Sequence, residues 1–125
     1  MKKIILDTNF LLIPYQFKVD IFSEIERICD FKYELRIIDK TVDELNKIIK
    51  EQKGKHKEAA RFALVLIEKR KIKKINTKEI IDVDSLLLTQ KGAIVATQDA
   101  ELKRRLKKSN IKVITLRQKK YLTLG

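Results

Sequence analysis

The feature that most constrains this chain is a set of short, unbroken aliphatic runs separated by longer segments of helical periodicity. Ile4, Ile5 and Leu6 form the first run, which ends at Asp7. A strand exposed to water on one face would alternate apolar with polar residues, so a continuous run reads as a strand buried on both faces. Comparable runs are Leu35 to Ile38, Ile94 to Ala96 and Val113 to Leu116, with a weaker one at Ile72 to Ile75. Between them, Ile21, Phe22, Ile25 and Ile28 recur at helical spacing, as do Val42, Leu45, Ile48 and Ile49, and then Ala59, Ala60, Ala63, Leu64 and Ile67. The stretch DAELKRRLKKSN adds a further helix, with Leu102 and Leu106 on one face and basic residues gathering toward its C-terminus, where they oppose the helix dipole.

Parallel strands need crossover helices, so this alternation predicts an α/β domain of three layers, α/β/α, with a central parallel sheet of about five strands. A chain of 125 residues has the size of one domain, 1–125. Three glycines and one proline leave little material for linkers. The Lys53-Gly54-Lys55-His56-Lys57 stretch is the one loop-like segment of note, between two expected helices.

Charge narrows the partners. Lys and Arg number 29 against 17 Asp and Glu, a net charge of +12 that favours polyanions such as nucleic acid, although a lysine-rich surface also serves solubility. Cys29 and His56 each stand alone, which excludes an intrachain disulfide and gives no zinc motif, and fits a reducing cytoplasm. The opening MKKIILDTNFLLIPYQF imitates a signal peptide only until Asp7, Thr8 and Asn9 divide its apolar stretch. No apolar run approaches the roughly 18 residues of a membrane span, so no membrane partner is expected.

In open parallel sheets ligands bind beyond the carboxyl ends of the strands, and there the sequence is acidic. Asp7 follows the first run, Asp99 follows IVATQ, and Asp82 and Asp84 open the helical segment DSLLLTQ. Asp84 and Asp99 also suit a purely structural role as helix caps. Asp7 is different, because a carboxylate abutting three buried aliphatics needs a partner or a cation to offset its desolvation. Glu44 lies between Val42 and Leu45 on an amphipathic helix, a position many glutamates occupy without function.

The segments MKKIILDTNFLL, TVDEL, DVDSLLL and AIVATQDAELKRRL stand in the order and with the character of the PIN-domain family. The chain resembles that family along nearly its whole length, most specifically in Asp7-Thr8-Asn9 and Thr97-Gln98-Asp99. It is similar to VapC-like members and to archaeal single-domain members related to small-subunit rRNA-processing nucleases. The resemblance implies a Mg²⁺- or Mn²⁺-dependent endoribonuclease. Its catalytic metal ligands would be Asp7, Glu44, Asp84 and Asp99, with Asp82 as substitute for Asp84. Thr8, Asn9 and Thr97 would be hydrogen-bonding groups behind them. The chain departs from the family pattern in the shortened helix before the Thr97-Gln98-Asp99 element, where only DSLLLTQ precedes Lys91-Gly92.

Carboxylates suit this chemistry, since hard divalent cations held by oxygen neutralise charge on a phosphodiester and activate water. Lys103, Arg104, Arg105, Lys107 and Lys108 supply counter-charge for an RNA backbone, or form a solvated helix face. Arg117, Lys119, Lys120 and Tyr121 offer a second basic patch with an aromatic. RNA is the expected partner, joined by an antitoxin, a pre-ribosomal particle or a second copy of the chain. Two other readings compete. A response-regulator-like receiver shares the length and plan but carries an acidic pair after its first strand, where Asp7 here stands with Thr8 and Asn9. A non-catalytic RNA-binding module would keep the fold and lose the acids' function.

Overall fold

The structure is a computed structural model that describes residues 1–77, 87–88 and 92–125. Its strands are β1 (Lys2–Leu6), β2 (Tyr33–Ile38), β3 (Lys73–Ile75), β4 (Ile94–Ala96), β5 (Lys112–Arg117) and β6 (Tyr121–Leu124). Its helices are α1 (Thr8–Leu11), α2 (Ile13–Phe17), α3 (Ile21–Ile28), α4 (Asp39–Glu51), α5 (Lys55–Lys69) and α6 (Ala100–Lys108). The strands lie in one sheet in the order β3-β2-β1-β4-β5-β6, and every neighbouring pair is parallel except β5 and β6. A receiver domain places its first strand between the second and third, whereas here β1 lies between β2 and β4.

The continuous aliphatic runs are explained by what covers the sheet. Successive strand residues point to opposite faces, and both faces are dry. Ile4, Leu6, Ile37, Ile94, Ala96 and Ile114 pack against residues of α1 to α5, including Phe10, Ile21, Ile25, Leu45 and Ala63. Ile5, Ile38, Val95 and Val113 face the other way, onto Leu87, Leu102, Leu106 and Ile111. These are the three layers expected from the alternation.

Two features depart from that expectation. The chain after β1 turns at once into the short helices α1 and α2, and the C-terminal tail adds β6, a sixth, antiparallel strand. The β5–β6 hairpin turns through Gln118 and Lys119, both at positive φ (52° and 55°), a conformation usually taken by Gly or Asn. The edge thus created is closed by α3: Leu122 N–H donates to Glu24 Oε1 (3.0 Å) and Arg27 Nη2 donates to the Leu122 carbonyl (3.1 Å). Satisfying edge backbone groups in this way removes a template for unwanted strand pairing.

Strand order fixes where a site can form. The chain winds from β1 through β2 to β3 in one direction, then returns to the other side of β1 with β4 and β5. The reversal falls between the carboxyl ends of β1 and β4, the crevice in which open α/β sheets bind their ligands. Asp7 N–H donates to the Ala96 carbonyl (2.9 Å), so the two strand ends are bonded side by side.

α3 depends on its N-cap. Asp20 accepts from Phe22 N (3.1 Å), Ser23 N (3.2 Å) and Ser23 Oγ (2.7 Å). These bonds, the Ser23 hydroxyl first, hold its carboxyl below the ordinary aspartate range. Asp20→Ala is expected to cost about 1 kcal/mol in urea unfolding at neutral pH, while Asp20→Asn costs only a fraction of that. Because the folded-state pKa is depressed, the advantage of wild type over Asp20→Ala is complete above the unfolded carboxylate range and disappears as pH falls through the folded-state value. An advantage that persisted unchanged into strong acid would show that Asp20 does not stabilise as a carboxylate.

Candidate functional site

Asp7 is the first residue past β1 and the N-cap of α1. Its Oδ1 accepts from Thr8 N (2.9 Å) and its carbonyl accepts from Phe10 N and Leu11 N (3.1 and 3.2 Å). The helix turns here because a strand-end aspartate can satisfy the orphan donors of the following turn. The residue is only 7% exposed, so its charge depends on the donors around it.

From the neighbouring strand end, Thr97, fully buried, donates its hydroxyl to Asp7 Oδ2 (2.7 Å). The same Oγ1 accepts from Asp99 N (3.2 Å), and it lies 3.4 Å from Asn9 Oδ1. A hydroxyl has one proton and two lone pairs, so one threonine can serve the acid of β1 and the backbone of the acid after β4 together. Asn9 Oδ1 accepts from Gln98 N (3.1 Å) and fastens the second crossing between the two loops.

Asp99 is the N-cap of α6, its Oδ1 accepting from Leu102 N (2.9 Å). The cap role weighed for this residue is present and occupies one oxygen, while Oδ2 has no hydrogen bond among the described residues. Glu44 arrives from the second turn of α4. It remains exposed, and its Oε1 accepts from Thr8 Oγ1 (2.5 Å), with Oε2 again unbonded among the described residues. Glu44, Thr8, Asp7, Thr97 and Asp99 thus form one connected chain of side chains and backbone.

Asp82 and Asp84 lie outside the described residues. Among the described residues no three acid, histidine or cysteine side chains form a ready-made metal cage. The donor chemistry nevertheless fits a hard divalent cation: Asp7, Glu44 and Asp99 offer only carboxylate oxygen, while Cys29 is buried in the core and His56 belongs to a separate groove.

Two contributors were not visible in the sequence. Gln98 Oε1 accepts from Leu116 N (2.8 Å) and Thr115 Oγ1 (2.9 Å), pinning the loop after β4 to β5. Asp39, at the end of β2, accepts from Thr77 N (3.0 Å) and Thr77 Oγ1 (2.8 Å). The Thr77 backbone N–H, chiefly, holds the Asp39 carboxyl below its ordinary range. Asp39 is a strand-end acid committed to fastening the chain after β3. Only tertiary structure distinguishes it from Asp7.

The basic residues of α6 divide between two sides of the helix. Lys103, Arg104 and Lys107 line a groove of about 410 Å³ with Thr115 and Arg117 of β5, and Ala100, next to Asp99, lines it as well. Lys103 Nζ donates to Thr115 Oγ1 (3.0 Å). Arg105 and Lys108 do not line the groove. Arg117, from the second basic patch, joins the cations of α6 there. The groove therefore combines parts of both patches.

The chain is similar to known proteins along nearly its whole length. The family described as "PIN like domain" matches residues 4–119. Ribonuclease VapC4 of Methanocaldococcus jannaschii is 36% identical over 130 residues, spanning 99% of this chain and 97% of the relative. Ribonuclease VapC9 of Archaeoglobus fulgidus is 34% identical over 118 residues, spanning 93% and 84%. Among solved structures, the PIN domain endonuclease Utp24 superposes with a TM-score of 0.79 over 98% of this chain and 90% of that one. At 23% identity this is a likeness of fold.

The hydroxyl of Thr97 should be worth measurable stability without any ligand. Thr97→Val keeps the shape and removes the donor to Asp7 and the acceptor for Asp99 N–H. The expected loss is about 1–3 kcal/mol in urea unfolding, with Thr97→Ser close to wild type. Equal stability of the valine and serine variants would mean that the hydroxyl does not hold the two loops together.

Proposed function

Because the chain belongs to the PIN-like domain family, we propose that it is a metal-dependent endoribonuclease whose cation site is built on Asp7, Glu44 and Asp99. It is a nuclease acting on RNA. The proposal extends that to the residues that do the work, and treats residues 1–125 as one nuclease domain acting in the cytoplasm. The observation that carries it is the Thr97 hydroxyl, which links the acids ending β1 and following β4 at the one crevice the strand order provides. Asp84, or Asp82 in its place, completes the proposed ligand set.

Mg²⁺ or Mn²⁺ bound there supplies charge neutralisation at the scissile phosphodiester and activation of the attacking water. The chain's own contribution is position. Thr97 and the Thr8 backbone orient both oxygens of Asp7, Leu102 N fixes Asp99, and Thr8 Oγ1 holds Glu44, so each carboxylate is tethered on the crevice before a cation binds. Lys103, Arg104, Lys107 and Arg117 lead RNA phosphates along the groove that begins beside Asp99. Two settings suit such an activity: a toxin held by an antitoxin, and a pre-ribosomal processing factor. An adjacent small antitoxin gene marks the first.

Asp7→Asn and Asp99→Asn are expected to abolish Mn²⁺-dependent cleavage of single-stranded RNA, and a chelator should do the same to wild type. Thr97→Val acts one step back and should lose about 10–100-fold in metal affinity or activity. Retained cleavage in the Asp7→Asn protein would refute the site.

Binding of single-stranded RNA should weaken with salt along a slope of about 0.7 per phosphate contacted. Lys107→Gln with Arg117→Gln should reduce that slope by roughly 1.4 if each cation meets one phosphate. Arg105→Gln with Lys108→Gln should leave it unchanged. The reverse outcome would move the RNA path to the other side of α6.

A further inference from the structure

A groove apart from the acidic crevice is larger than the one beside α6. It lies between α2 and the N-terminal half of α5, has a volume of about 780 Å³, and is lined by Tyr15, Phe17, Lys18, Lys55, His56 and Phe62 among others. Tyr15 and Phe62 face each other there with ring centroids 6.1 Å apart and planes inclined at 53°. They are 40% and 41% exposed, among the few large apolar side chains left in water among the described residues. α5 spends its core-facing stripe on Ala59, Ala60, Ala63 and Ile67, so Phe62 is not required to fill the interior.

The rim is cationic. Lys18, Lys55 and His56 contribute nitrogen donors, and no carboxylate is among the lining residues. Lys119 Nζ stands 5.7 Å from the centroid of Phe17, adding a further cation at one end. Exposed aromatic faces bordered by lysines are the combination that binds single-stranded nucleic acid, in which bases stack on rings while the phosphates meet the cations. An apolar protein segment would find the aromatic floor and meet no acidic partner for the lysines. The elements that build the groove are tied to those of the acidic crevice: α2 follows Asp7 within a few residues, and α5 packs along α4, which carries Glu44.

We infer that the Tyr15–Phe62 groove is a second RNA-binding subsite, in which an unpaired base stacks on or between the two rings and Lys18, Lys55 and His56 hold the adjoining phosphates. The inference rests on the reading of the chain as an RNA nuclease and gives it single-stranded substrate. It also predicts that affinity does not come from the α6 groove alone.

The chain contains no tryptophan, so Phe62→Trp introduces a single reporter. With a chelator present to prevent cleavage, a short single-stranded oligoadenylate should quench the Trp fluorescence saturably, at the concentrations that raise the anisotropy of a labelled oligonucleotide on wild type. Tyr15→Ala and Phe62→Ala should each weaken that binding by roughly five- to a hundredfold, while Tyr15→Phe retains it. Circular dichroism confirms that each variant is folded. The inference is overturned if the Trp signal stays flat while anisotropy saturates, or if both alanine variants bind as wild type does. It is also overturned if sedimentation shows that Tyr15→Ala dissociates a dimer without changing RNA affinity, which would make the groove a self-association face. The two readings fail separately. Quenching without Mn²⁺-dependent cleavage keeps the groove and removes the nuclease. Cleavage with neither quenching nor weakened binding keeps the nuclease and removes the groove.

Discussion

A carboxylate placed at the end of a strand buried on both faces must be given partners, and the arrangement around Asp7 follows from that requirement. Burial of Ile4, Ile5 and Leu6 draws the strand end into the sheet, and desolvation would penalise the charge that follows it. Among the described residues, the Thr8 backbone N–H donates to one oxygen and the Thr97 hydroxyl to the other, and both offset the penalty. The second comes from the neighbouring strand, so stabilising the charge also joins β1 to β4 at the point where the winding of the sheet reverses. Most of the site's geometry is a consequence of that one hydroxyl, which orients Asp7 and fixes the backbone of Asp99.

Rigidity at the crevice and charge around it have different origins. The crevice is held by a network of buried and part-buried hydrogen bonds among Asp7, Thr8, Asn9, Thr97, Gln98 and Thr115, which fix the loops relative to one another. The cations assigned to RNA under the proposed function are long, mostly exposed side chains on α6 and on the β5–β6 hairpin, suited to act through a field more than through fixed contacts. A nuclease needs both: carboxylates set in advance so that binding a cation requires little reorganisation, and an adaptable basic surface able to accept a flexible polyanion. No helix among the described residues is long and apolar enough to cross a membrane.

The sheet was legible because its strands are covered on both sides, which turns them into uninterrupted aliphatic runs. The acids at the ends of β1 and β4 were legible for the same reason, since a charge after such a run stands out. The short helices α1 and α2 were not, because at 4 and 5 residues each is too short to display a helical period. The β6 hairpin was hidden by its turn, in which Gln118 and Lys119 take a conformation that Gly or Asn would have announced. Asp39 looks like Asp7 in sequence, a carboxylate after a run of aliphatics, and only its bonds to Thr77 show that it fastens a loop. The split of the α6 cations between two sides likewise depends on β5 packing along the helix. Asp82 and Asp84 fall outside the described residues, so the choice between them rests on sequence.

The central claim is that Asp7, Glu44 and Asp99, which come from three separate parts of the chain, share one cation site. Titrating substoichiometric Mn²⁺ into isotopically labelled protein and recording amide line broadening tests it without requiring turnover, since a paramagnetic ion broadens the amides nearest to it. The account predicts that signals from Asp7 to Asn9, from Thr97 to Ala100 and around Glu44 broaden together at the lowest ratios, and that Mg²⁺ in excess restores them. Broadening that began elsewhere, or that reached one of the three segments and spared the other two, would contradict it.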